Sequence, residues 1–86
     1  MKAPELDFYY FDSCPYCQRV INVINKHKIK VNWIDIYEDL NALQKLIQIT
    51  GRKTVPCLFI DGDPMHESSD IMAWLEANVD RLTKTT

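Results

Sequence analysis

Two cysteines separated by two residues, Cys14-Pro15-Tyr16-Cys17, stand between an alternating apolar run and an amphipathic one. Thiols at this spacing can close a small disulfide. Pro15 suits the first position of a helix, because its missing N–H would be unpaired there anyway. Cys14 then sits at a helix N-terminus with its sulfur exposed. Unpaired N–H groups and the positive end of the helix dipole favour a thiolate at that place. The thiolate is the attacking species in thiol–disulfide exchange. Cys14 is therefore expected to attack, and Cys17, one turn further in and more buried, to resolve. Tyr16 puts a ring beside the sulfur.

The flanking pattern gives the architecture. Leu6, Phe8 and Tyr10 alternate with Asp7 and Tyr9, as in a strand with one buried face. From Tyr16 to about Lys28 the positions Cys17, Val20, Ile21 and Ile24 follow helical spacing. Ile29 to Ile36 reads as a second strand, with Val31 and Trp33 on one face. Asp39 can cap a second helix with the stripe Leu40, Leu43, Leu46 and Ile47, ended by Thr50-Gly51. Val55 to Ile60 has the nearly continuous apolar character of a buried strand. Asp61-Gly62 signals a hairpin turn into a short return strand at Pro64-Met65. A last helix runs from Ser68 or Ser69 to about Val79, with Ile71, Trp74, Leu75 and Val79 inward. The polar tail Thr83 to Thr86 is expected to fray. The order is β-α-β-α-β-β-α, an α/β domain with a parallel first pair and an antiparallel edge.

Size and composition narrow the function classes. Eighty-six residues make a single domain, residues 1–86 with a core from about 5 to 80. The net charge of −2, with both signs interspersed, leaves no nucleic-acid footprint. No apolar run is long enough to span a bilayer, and Asp7 and Asp12 interrupt the N-terminal apolar stretch that a secretory signal would need. Three cysteines fit poorly with a secreted disulfide framework and better with a reducing compartment. The expectation is a cytoplasmic monomer.

Two further motifs bear on chemistry. Thr54-Val55-Pro56 places a proline directly before the buried strand, where it removes a ladder donor. One resolution is a cis Val55–Pro56 bond, which would leave Val55 free to pair with an extended peptide; a trans edge proline is the commoner form. Glu67-Ser68-Ser69-Asp70 precedes the last helix. Its hydroxyls and N–H groups could cap that helix, bind a carboxylate, or both. A zinc site of Cys14, Cys17, Cys57 and His66 is the competing use of the thiols. It lacks a second closely spaced pair, and Cys57 sits inside an apolar run, so no metal is expected. Cys57, Trp33 and Trp74 read as core, and His27 as solvated.

From about Phe8 to Val79, the order of strand, Cys-Pro-Tyr-Cys, helix, Thr-Val-Pro and serine-bearing helix start resembles the glutaredoxins. The resemblance implies the thioredoxin fold, a four-stranded mixed sheet flanked by three helices, and favours the cis bond. It implies glutathione-dependent reduction of protein disulfides and glutathione mixed disulfides, with glutathione as co-substrate and disulfide-bonded or glutathionylated proteins as partners. It further implies that Tyr16, Thr54, Val55 and Pro56 line the glutathione site and that Ser68 and Ser69 hold the γ-glutamyl carboxylate.

Three positions depart from the family pattern. Many glutaredoxins carry a basic residue three positions before the first cysteine, where it attracts the glycyl carboxylate; here that residue is Phe11, and Gln48, Arg52 or Lys53 are the candidates to replace it. The segment His66 to Asp70 stands where the family usually has Gly-Gly-Cys-Asp-Asp. Its Glu-Ser-x-Asp-Ile form is similar to glutathione-transferase-like domains, in which Glu67 would join Ser68 on the γ-glutamyl group. Two alternatives follow from the resemblance. One is a glutathione-ligated [2Fe–2S] carrier, disfavoured by Pro15. The other is the glutathione-binding domain of a transferase-like protein, disfavoured because the sequence ends before a helical second domain.

Overall fold

Strand β1 (Leu6–Tyr10) lies at the centre of a four-stranded sheet. The computed structural model describes residues 3–85. Helix α1 (Pro15–Lys26) carries the chain over to β2 (Asn32–Asp35), which pairs with β1 in parallel. Helix α2 (Leu40–Thr50) then leads to β3 (Cys57–Ile60) on the other side of β1, antiparallel to it. A tight turn folds β4 (Asp63–Met65) back on β3, and helix α3 (Ser68–Asn78) closes the domain with a short 3-10 turn, Val79–Arg81. The strand order β2-β1-β3-β4, with three helices against the sheet, is the thioredoxin fold.

Both faces of the sheet are covered, and the two sides are chemically different. Phe8, Val20, Ile24, Leu58, Ile71 and Leu75 form the larger core, where α1 and α3 pack on one face. Tyr9, Ile36, Leu46, Cys57 and Phe59 form a smaller core under α2. This corrects the reading of β1 as a strand with one buried face. Tyr9 is buried as deeply as Leu6, because α2 covers the face that Tyr9 presents.

The helix ends follow the sequence where a capping residue exists. The Asp39 carboxylate accepts the N–H groups of Asn41 and Ala42 at 3.1 and 3.2 Å, which fixes the start of α2. Gly51 ends α2 in the left-handed region (φ 81°), where a side chain would be strained, and donates its N–H to the Ile47 carbonyl at 2.7 Å.

Other boundaries moved. Helix α1 stops at Lys26, and Lys28 turns the chain with φ 53°. Ile29 pairs with Lys84 rather than with β1, so β2 starts at Asn32 instead of Ile29. The tail is consequently pinned: Lys30 donates to the Thr83 carbonyl at 2.8 Å and Thr85 to the Lys28 carbonyl at 2.7 Å. The expectation of fraying is wrong for Thr83, Lys84 and Thr85; Thr86 lies outside the described residues.

Three apolar side chains expected inside are exposed. Trp33 is on the edge strand, 44% accessible, with its ring edge-on to Phe8 and Tyr10. Leu40 sits in the first turn of α2, beyond the sheet, and Ile47 is rotated about 100° from the buried Leu46. Trp74 is partly buried against the larger core, as are Ile21 and Val79.

Candidate active site

The residue order β1-loop-α1 delivers Cys14 to the end of the central strand. Its backbone is extended (φ −81°, ψ 114°), which makes it the N-cap of α1, with Pro15 as the first helical residue. The Cys14 N–H donates to the Phe11 carbonyl at 3.2 Å, and the Cys14 carbonyl accepts from the Gln18 N–H at 3.0 Å. The Cys14 sulfur accepts the Cys17 N–H at 3.3 Å. This bond corrects the picture of a freely exposed sulfur. By capping its own helix the side chain turns inward, and only 6% of Cys14 remains accessible, against none of Cys17.

The two thiols are inequivalent. Burial, followed by a hydrogen bond to Cys14, pushes the Cys17 thiol well above its ordinary range. Cys17 therefore stays protonated and can donate its S–H toward Cys14.

Tyr16, which stands between the two cysteines in sequence, lines a cavity of about 430 Å³ together with Arg19, Thr54, Val55, Pro56, Glu67, Ser68 and Ser69; neither cysteine is part of its lining. Its walls come from three places: the start of α1, the turn before β3, and the start of α3. The Val55–Pro56 peptide bond is cis. Pro56 is buried, and β3 begins only at Cys57, since proline has no ladder donor to give.

The start of α3 differs from the sequence expectation in one respect. Neither serine caps it. Glu67 is the N-cap residue, with φ 71° and no side-chain capping bond, and Ser68 and Ser69 are already helical. The Glu67 carbonyl accepts the Ile71 N–H at 3.0 Å. The first N–H groups of α3 are thus left without a side-chain acceptor and open the cavity to an anion.

Of the residues singled out in the sequence, Tyr16, Thr54, Val55, Pro56, Glu67, Ser68 and Ser69 meet in this cavity. Gln48, Arg52 and Lys53 are exposed and do not line it. The cation that does is Arg19, whose guanidinium lies 5.5 Å from the centre of the Tyr16 ring. The i, i+3 spacing of Tyr16 and Arg19 on α1 was the available signal.

Cys57 is fully buried under α2, opposite Tyr9 in the β1–β3 register. Burial pushes its thiol up to about 12; a backbone hydrogen bond at Met65 and the charge of Arg52 act in the other direction. His66 is held below its ordinary value, first by burial and then by Arg52, with Glu67 opposing. Among the described residues, no group of three or more His, Cys, Asp or Glu side chains is arranged to hold a metal ion. Among the described residues, no helix is long and apolar enough to cross a membrane.

Comparison with known proteins agrees with this architecture. The glutaredoxin family pattern matches residues 6–65. Human glutaredoxin-1 is 32% identical over 78 residues, covering 84% of this chain and 73% of its own. Wheat glutaredoxin superposes with a TM-score of 0.72 at 20% identity, over 93% of this chain and 83% of its own. A glutathione transferase homologue from Drosophila mojavensis, solved with bound glutathione, superposes with a TM-score of 0.75 at 17% identity; the match spans 88% of this chain and 36% of that one. Sheet order, cysteine placement and a match over most of the sequence lead to one conclusion: the chain belongs to the glutaredoxin family.

Proposed function

We propose that this glutaredoxin reduces disulfides with glutathione, using Cys14 as nucleophile and Cys17 as resolving thiol. The observation that carries the reading is the capped Cys14 sulfur, held by the Cys17 N–H, with Tyr16 between the two cysteines lining a cavity that ends on the open start of α3. In the mixed-disulfide route, the Cys14 thiolate attacks the glutathionyl sulfur of a glutathionylated partner. A Cys14–glutathione disulfide forms and the partner leaves as its thiolate, which takes up a proton. A glutathione thiolate then attacks that disulfide, releasing oxidised glutathione and the Cys14 thiolate. In the dithiol route, Cys14 forms a mixed disulfide with a protein. Cys17 loses its proton as it displaces the reduced protein, closing the Cys14–Cys17 disulfide, and two glutathione molecules reopen it.

The cavity suits glutathione in size and charge. Its volume falls in the range of small-ligand sites. In this reading the uncapped N–H groups of α3 and the Ser68 and Ser69 hydroxyls take the γ-glutamyl carboxylate. Glu67 takes the ammonium, the Thr54–Pro56 backbone flanks the cysteinyl unit, and Arg19 supplies the cation that Phe11 does not. The reading includes action on protein disulfides and glutathionylated proteins as a monomer in the reducing cytoplasm. The test is glutathione-coupled reduction of hydroxyethyl disulfide by the wild-type protein, followed with NADPH and glutathione reductase. Turnover above the uncatalysed rate supports the reading; none at micromolar enzyme sinks it.

A further inference from the structure

The segment leading into Cys14 and the turn after β2 have a different chemistry from the cavity. Phe11, directly before the Cys14 loop, packs against Tyr37 of the β2–α2 turn, ring centres 4.9 Å apart and planes tilted by 42°. Tyr37 is 63% exposed, and Leu40, one turn later, is 64% exposed. Carboxylates surround this apolar ledge: Asp12 adjoins Phe11, and Asp35, Glu38 and Asp39 adjoin Tyr37. Asp35 accepts the Tyr37 N–H at 2.9 Å, and Asp39 caps α2, so these two have structural work. The side chains of Asp12 and Glu38 make no hydrogen bond or ion pair among the described residues, and both residues are exposed. The carboxylates converge: the Tyr10 hydroxyl is raised first by burial and then by Asp12, Asp35 and Glu38.

We propose that this acidic, aromatic ledge is the docking surface for protein substrates, and that it selects those with lysine or arginine beside the oxidised cysteine. The proposal rests on the disulfide-reducing reading. Charge differs between the two places: Arg19 lines the cavity, while the carboxylates Asp12, Asp35, Glu38 and Asp39 lie in the segment leading into Cys14, at the end of β2 and in the turn after it. Glutathione carries two carboxylates and one ammonium, so the acidic ledge repels it while the cavity receives it. A partner protein is larger than the tripeptide and reaches past the cavity to this ledge. There, Tyr37 offers a ring face to a guanidinium or to a lysine stem, and Asp12 and Glu38 offer unpaired charge.

The experiment uses three glutathionylated peptides identical except for the residues flanking cysteine: lysine, serine or glutamate. The kcat/KM of each is measured at low and high salt, with hydroxyethyl disulfide as the uncharged reference. The lysine peptide should exceed the glutamate peptide by about tenfold at low salt, and the gap should shrink at high salt. The double variant Asp12→Lys/Glu38→Lys should reverse the preference, read as the ratio of the lysine to the glutamate peptide within one protein, so that any effect on glutathione itself cancels. Tyr37→Ala should lower kcat/KM for the lysine peptide alone. Equal values for the three wild-type peptides, or a preference unchanged in the double variant, would overturn the proposal. If wild type reduces no disulfide at all, the enzymatic reading has failed, and fluorescence anisotropy of the same labelled peptides decides the docking surface. Lysine-selective binding lost in the double variant supports it, and binding without charge preference overturns it.

Discussion

The Cys17 backbone N–H points at the Cys14 sulfur from 3.3 Å, so the second cysteine of the motif stabilises the first before its own thiol reacts. Backbone and side chain of Cys17 thus have separable roles. Cys17→Ser keeps the N–H and loses the resolving sulfur. It should retain reduction of glutathionylated substrates within about an order of magnitude and lose the closed-disulfide route for protein substrates. Cys14→Ser should fall to the uncatalysed background with every substrate. Loss of both activities in Cys17→Ser would show that the roles are wrongly assigned.

Cys57 shares a chain with two reactive thiols but not their surroundings. It is fully buried, and its thiol is pushed up to about 12. In the native protein it should react with iodoacetamide at least about a thousandfold more slowly than Cys14, because it becomes available only by opening of the fold. Peptide mass mapping after timed alkylation reads this directly. The pH sign is also set: the folded value lies above the ordinary 9.0, so the protonated thiol favours the fold below about pH 9, and that contribution is lost as pH rises toward 12.

Where a polar residue stands near a helix start, sequence alone does not say whether it serves the helix or a ligand. Asp39 serves its helix: its carboxylate takes two N–H groups, and Asp39→Ala should cost about 1 kcal/mol in urea unfolding. Ser68 does not cap α3, since the cap position belongs to Glu67 and no side chain bonds there. Ser68→Ala should therefore change stability by less than about 0.5 kcal/mol while raising the KM for glutathione by roughly five- to tenfold, the worth of one lost hydrogen bond. The opposite pattern, lower stability with unchanged KM, would return Ser68 to a structural role.

Much of this architecture was legible in the sequence because local rules and tertiary packing agree in it. The Leu6–Tyr10 alternation, Asp39 and Gly51 at the ends of α2, and the Asp61-Gly62 turn each state their role within a few residues. What failed required long-range information. Nothing near Ile29 announces that Lys84 will pair with it, 55 residues later, so both the start of β2 and the order of the tail were missed. Tyr9 reads as the polar face of a strand until α2 is known to cover it. The site divides in the same way. Cysteine spacing fixed the nucleophile candidates, but that Arg19 lines the cavity while Gln48, Arg52 and Lys53 do not depends on which face of each element meets the groove.

His66 sets the pH dependence that is easiest to isolate. Burial and the nearby Arg52 hold it below its ordinary value, against the opposing pull of Glu67. Among the described residues its Nδ1 has no hydrogen-bond partner. A histidine that is harder to protonate in the folded state leaves the unfolded chain binding more protons once the pH drops below about 6.5. Stability should therefore fall as pH decreases through that value, reaching its full loss below the folded-state value. The urea midpoint should drop further between about pH 7.5 and about pH 5 in wild type than in His66→Gln, because every other group is common to both. A parallel drop in the two proteins would mean that His66 titrates as freely in the fold as in the unfolded chain.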